Sequence, residues 1–188
     1  MKYFILMTLA TLVGANVSLA QFNPKQLAGN WESVASEDLG NGTYGFRSFS
    51  FNGNQWEIRF TMYFDKELKK PVFTFRGEGN YVVGSISKNG VAYNAEFSFL
   101  KKFVTLQTAD QGVIKNFGFA DCKLDPFKEA DISQSGCSFL PSVANYGKEY
   151  DLISISNDQL FLGARPADGN MGSEDKRPIA LGAPLRRR

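Results

Sequence analysis

The stretch that decides the fold is Phe46–Phe64, FRSFSFNGNQWEIRFTMYF, two alternating runs joined by Asn52, Gly53 and Asn54. In the second run Trp56, Ile58, Phe60, Met62 and Phe64 share one parity, and Glu57, Arg59, Thr61 and Tyr63 share the other. Successive side chains of a strand point to opposite faces, so this alternation predicts one dry face and one wet face. Phe49 and Phe51 carry the dry face through the first run. Asn and Gly tolerate positive φ at small cost, which makes the joint a turn. The sequence therefore predicts a long hairpin presenting one aromatic face.

The same texture recurs on either side. Upstream, Pro24 suits the first turn of a short entry helix. In Leu27-Ala28-Gly29-Asn30-Trp31-Glu32-Ser33 a glycine and a tryptophan then open a strand. That arrangement resembles the head of lipocalin-like barrels, where the tryptophan closes the barrel's bottom and the glycine admits another backbone. Ser36–Gly45 reads as a glycine-rich loop, and its Asn41-Gly42-Thr43 is a glycosylation sequon in a eukaryotic host and only a turn otherwise. Downstream, Phe73 and Phe75 share a face of the strand that starts at Pro71. Gly77 and Gly79 interrupt that strand, which suits a bulge or bend, and Tyr81–Ser87 continues it. Asn89-Gly90 predicts a type I′ turn, after which Val91, Tyr93, Ala95, Phe97 and Phe99 alternate with polar residues. Lys101-Lys102 reads as the next turn, with Phe103–Thr108 returning.

From Ala109 to Tyr146, glycines and prolines punctuate a less regular region expected to hold one or two short helical turns. Tyr150–Ser156 and Gln159–Arg165 form a last hairpin through Asn157-Asp158. Such runs number about eight, the size at which a barrel is filled by side chains or holds one ligand. Meander connections through tight turns predict an all-β fold, an antiparallel up-and-down, lipocalin-like β-barrel with one irregular disulfide-pinned region. A Greek-key sandwich is the structural alternative.

Lys2, the apolar run Phe4–Val13 and the small-residue site Ser18-Leu19-Ala20 have the three-part pattern of a secretory signal cut after Ala20. The expected organisation is a signal over residues 1–20, a barrel domain over 21–165 and a polar tail over 166–188. No integral membrane segment is expected after cleavage, and the location is secreted or periplasmic. In an oxidising space Cys122 and Cys137 pair by default. The net charge of +2 comes with no basic stripe interleaved with aromatics, so no nucleic-acid partner is expected. With no histidine in the chain, imidazole acid–base chemistry and Ser-His-Asp arrangements are excluded, and metal sites are handicapped. No cofactor or metal is expected. Glu57, Glu78 and Glu96 fall on wet parities and are expected to face solvent.

The aromatic face is the functional candidate. Trp56, Phe60, Met62, Phe49 and Phe51 of the central hairpin are expected to converge with Phe73, Phe75, Tyr93, Phe97 and Phe99 on one interior. Large rings fit awkwardly in a narrow barrel centre, which favours a lined cavity over a filled core. The expected function is non-catalytic binding of a lipid, another apolar small molecule or a lipid-modified protein. Two rivals stand beside it. One is a protein-binding module that uses the loops at Ser36–Gly45 and Ala109–Tyr146 on a solid barrel. The other is an enzyme acting on a lipid, which needs a carboxylate on the inner face.

The C-terminal third carries a family resemblance. Glu149-Tyr150-Asp151-Leu152-Ile153 leads into Leu160-Phe161-Leu162-Gly163-Ala164-Arg165-Pro166-Ala167-Asp168-Gly169, then Lys176-Arg177-Pro178 and Ala183-Pro184-Leu185. With Gly29–Ser33, Arg47–Phe51 and Pro71–Gly79, this resembles the domain of the adenomatosis polyposis coli down-regulated family of Wnt antagonists. The resemblance implies a lipocalin-like domain whose apolar interior takes lipid, including the acyl group of Wnt proteins. By facing parity, Trp56, Phe60, Phe75 and Phe97 become candidate liners. That family carries two domains, a membrane anchor, early cysteines and histidines that are not found here. The resemblance therefore implies the fold and not the Wnt role.

Overall fold

Residues 22–188 are described in the computed structural model; the expected signal over 1–20 lies outside them. A one-turn helix α1 (Pro24–Leu27) leads into β1 (Gly29–Ser33), β2 (Glu37–Gly40), β3 (Thr43–Asn52), β4 (Gln55–Tyr63), β5 (Pro71–Ile86) and β6 (Tyr93–Leu106). Then come α2 (Gln111–Asn116), a 3-10 turn at Ala120–Cys122, β7 (Glu129–Asp131), β8 (Lys148–Ser156), β9 (Gln159–Gly163) and β10 (Leu181–Arg187). The order β1-β10-β9-β8-β6-β5-β4-β3, with β3 pairing back onto β1, closes an antiparallel up-and-down barrel of eight strands.

The central hairpin has the register that its alternation demands. Phe51 faces Trp56, Phe49 faces Ile58 and Gly45 faces Met62, with Gly53 at φ 61° in the turn. At the last hairpin Asn157 and Asp158 both take positive φ, 51° and 58°, as a two-residue I′ turn requires.

One end of the barrel is closed by apolar packing. Trp31 is 1% exposed and donates from Nε1 to Leu27 O at 2.8 Å, so α1 and β1 seal the bottom together. The Arg187 guanidinium lies 4.3 Å over the Trp31 ring and donates to Gln26 O and Ala28 O at 2.6 and 2.7 Å. Gly29 makes this possible: its φ is +114°, and a Cβ there would stand 3.0 Å from Arg187 Nη1. Above Trp31 the core continues through Phe51, Tyr81, Phe97, Ile153, Leu160 and Leu185.

The irregular stretch after β6 folds against the opposite end. Cys122 and Cys137 are bonded with Cα atoms 5.7 Å apart. Ile114, Phe119, Ile132 and Cys137 pack on Val72, Phe73, Val104 and Leu106, forming a second apolar cluster. This loop spends its apolar side chains on the barrel wall. Closing a loop of this length contributes about 3 kcal/mol in the chain-entropy account.

Four sequence expectations are corrected. The 166–188 stretch is not a tail, because its last seven strand residues supply β10, the strand that joins β9 to β1. Its inner face is carried by Leu185, 0% exposed, amid Pro184 and the arginines, so the alternation is too short to read. Ser36–Gly45 is not a loop but β2 and the start of β3, turning at Asn41-Gly42. At Asn89-Gly90 only Gly90 takes positive φ (71°), and Ser87 N–H bonds Ala92 O at 2.9 Å, so a wider loop replaces the I′ turn. Lastly, Lys101-Lys102 is no turn. β6 runs through it, and the pairing jumps from Gly79↔Phe99 to Glu78↔Lys101, leaving Leu100 as a bulge. The glycines opposite permit this, since a Cβ on Gly77 would collide with the Phe99 ring and one on Gly79 with the Ser98 backbone.

Candidate functional site

Between the two apolar clusters the barrel is hollow. A cavity of about 760 Å³ opens toward the end away from Trp31, within the size range of small-molecule sites. Its walls differ in character. On β3–β6 they are aromatic, because the inward parities of those strands carry Phe49, Trp56, Phe60, Phe73, Phe75, Phe97 and Phe99. Trp56 meets Phe97 and Phe99 at ring-centroid distances of 4.6 and 5.1 Å, which fixes the floor of the hollow.

Seven of the ten expected liners therefore reach the cavity and three do not. Phe51 is buried in the closed-end core against Tyr81, with centroids 5.2 Å apart. Met62 lies high on β4 and packs into the second apolar cluster. Tyr93 sits low on β6, where its ring lies 5.4 Å from Phe22 and borders a smaller depression of about 320 Å³ at the closed end. Parity identified the face correctly; height along each strand decides what a ring on that face meets.

The opposite wall is polar, and sequence reading missed it. The Leu100 bulge turns Lys102 inward, where it is 2% exposed. Its ammonium donates to Pro141 O at 3.0 Å, Tyr146 O at 2.5 Å and Ser142 O at 3.5 Å, tying the disulfide-bearing loop to the barrel rim. The Phe99 ring lies 4.7 Å below it. Desolvation holds the Lys102 ammonium down to about 8, partly offset by Glu149. On β3, Arg47 shares the inward parity of Phe49 and pairs with Glu37 of β2 at 2.9 Å.

Two carboxylates come from β8. Glu149 and Asp151 are two residues apart and both face inward, 8% and 5% exposed. Arg165, just past β9, donates to Glu149 Oε1 and Gly169 O, each at 2.8 Å. Asp151 Oδ1 accepts from the N–H groups of Leu152 and Gly163 at 2.7 and 2.8 Å. Gly163 is required there, since a Cβ would run into Asp151 and Pro178. Burial pushes the Asp151 carboxyl up to about 7, against those two backbone bonds. The alternation of Glu149 and Asp151 was available in the sequence, but two carboxylates on one parity read as a solvated face.

No protein-family model matches this chain, and no curated protein is significantly similar to it.

The carboxylates expected outside are outside. Glu57 and Glu78 pair with Arg76, which also holds Glu129 at 2.7 Å, and Glu96 pairs with Lys148 at 2.8 Å. Among the described residues no group of three or more His, Cys, Asp and Glu side chains is placed to hold a metal ion. No helix among them is long and apolar enough to cross a membrane.

Proposed function

We propose that this protein is an extracytoplasmic carrier that sequesters an apolar or amphipathic small molecule, or the lipid group of a modified partner, in the barrel interior. The observation that carries this reading is the hollow itself. Seven aromatic side chains border about 760 Å³ that they do not fill, and removing an alkyl chain from water into such a space gains about 0.8 kcal/mol per methylene. The Cys122–Cys137 bond supports a secreted or periplasmic setting. The sequence resemblance to a lipid-holding domain family points the same way.

The test is a titration of the folded protein with ten- to sixteen-carbon alcohols and acids, read by tryptophan emission and native mass spectrometry. One ligand per chain should bind, with Kd on the order of micromolar or tighter, and Trp56 emission should shift. A flat response at every chain length, from protein that still unfolds cooperatively, overturns the proposal.

One observation favours a second reading. A carboxyl near 7 on the wall of the cavity, Asp151 beside Glu149, is suited to general acid–base work on the bound molecule. Time-dependent conversion of a carried ligand to a new mass, lost in Asp151→Asn, would establish it.

A further inference from the structure

The cavity carries charge of both signs, but the two signs are not equally committed. Every cation at its wall already has partners. Lys102 gives its donors to three backbone carbonyls, Arg47 gives Nε to Glu37 while its terminal nitrogens stay unbonded among the described residues, and Arg165 is shared between Glu149 and Gly169 O. Arg177, which approaches Asp151 from outside the barrel, donates to the backbone oxygens of Ala95 and Asp151, both at 2.6 Å. The carboxylates are different. Asp151 is 5% exposed and lines the cavity, yet both of its hydrogen bonds fall on Oδ1, and Oδ2 takes none from the described residues. On Glu149 the single bond falls on Oε1.

We infer that the cavity selects amphiphiles whose polar end is a protonated amine, with the ammonium seated on Asp151 Oδ2 beside Glu149 and the hydrocarbon laid along the Trp56–Phe97–Phe99 wall. This rests on the carrier reading and narrows its ligand class. An anionic head at Asp151 would face two carboxylates, and Arg47, the guanidinium with both terminal nitrogens unbonded, stands on β3 with Glu37 already beside it. Asp151 Oδ2, open to the cavity and without a donor among the described residues, gains one from an ammonium. The aromatic wall adds to the preference, because ring faces attract cations. Since burial holds the Asp151 carboxyl near neutrality with Glu149 beside it, an ammonium entering at pH 6 displaces a proton from it. Amine affinity then rises between pH 5 and 8.

The experiment compares decylamine, decanol and decanoate by calorimetry at pH 7.5, on the full chain and on Asp151→Asn. Asparagine keeps an Oδ1 acceptor for the Leu152 and Gly163 amides, so the barrel is retained. Decylamine should bind at least tenfold tighter than decanol and decanoate. Asp151→Asn should bring the amine to the level of the alcohol without moving the alcohol. At pH 6, the decylamine enthalpy should vary with buffer ionisation heat in the unsubstituted protein only. Decanoate binding as well as the amine, amine and alcohol binding equally, or an amine preference that survives Asp151→Asn each overturns the inference while leaving the carrier intact. Should Asp151→Asn not fold, the order of the three ligands on the unsubstituted protein decides by itself. Failure of all three to bind a folded protein removes the carrier reading and this one with it.

Discussion

The two ends of this barrel solve the same problem by opposite means. At the closed end, strand alternation brings Trp31, Phe51 and Leu185 together, and α1 adds Leu27 to the same apolar cluster. At the open end the wall is held by polar contacts: Lys102 on three carbonyls, Arg165 on Glu149, and Asp151 on two amides. Dry packing tolerates no gap without loss, since truncation removes contacts that nothing replaces. A hydrogen-bonded rim keeps its shape around empty space, because each bond fixes its own pair of groups whether or not the centre is occupied. The difference explains why the large hollow lies toward the open end and only a smaller depression at the other.

The sharpest way to break this comparison is Trp31→Ala. It should cost about 4 kcal/mol in urea unfolding, and a cost below about 1 kcal/mol would mean that the plug is not what holds the bottom shut. Next comes Lys102→Met, which leaves the Pro141 and Tyr146 carbonyls without their donor, while Ser142 O keeps the Tyr146 amide. We expect about 3 kcal/mol, with amide exchange accelerated around Ser142–Tyr146 before the strands; uniform acceleration would contradict a tether.

Asp151→Asn has a signed pH dependence. Its folded-state carboxyl stands near 7, above the ordinary 3.8, so the native protein holds more protons than the unfolded chain across that interval. Its stability therefore falls as pH rises through it. The variant should be more stable than the unsubstituted protein by about 2 kcal/mol at pH 8 and equal to it near pH 4; a reversed trend would place Asp151 in a solvated or cation-paired setting. The smallest effect belongs to Ile58→Ala. This side chain already borders the cavity, so less than about 1 kcal/mol should be lost, together with a measurable fall in alkyl-chain affinity. Equal losses for Ile58→Ala and Trp31→Ala would erase the contrast between the ends.

Legibility in the sequence divides along the same line. The closed end was readable because its residues obey a period of two over long runs, and Gly29 and Trp31 stand in a recognisable pair. Most of the aromatic wall followed from the same rule. The polar wall did not, for three local reasons. The Leu100 bulge reverses parity within β6, so Lys102 looks external when counted from Phe99. Arg47 shares its parity with Phe49 and Phe51, but a lone charge in an aromatic run gives no sign that Glu37 waits for it. In β8, Leu152 is buried on the outer side while Glu149 and Asp151 turn inward, which inverts the usual meaning of the alternation. Phe51, Met62 and Tyr93 show the limit of the rule even where it works, because parity carries no information about depth.

Closure of the ring has a kinetic corollary. The seam joins residues from opposite extremes of the chain, Trp31 against Arg187 and Ser33 against Leu185. Contacts so distant in sequence are slow to find, and barrels dominated by them fold in milliseconds to seconds. Until that zip is drawn, β1 and β10 present bare edges able to recruit strands from neighbouring molecules. Refolding yield should therefore depend steeply on protein concentration, and anything appended beyond Arg188 that hinders docking would prolong the vulnerable interval.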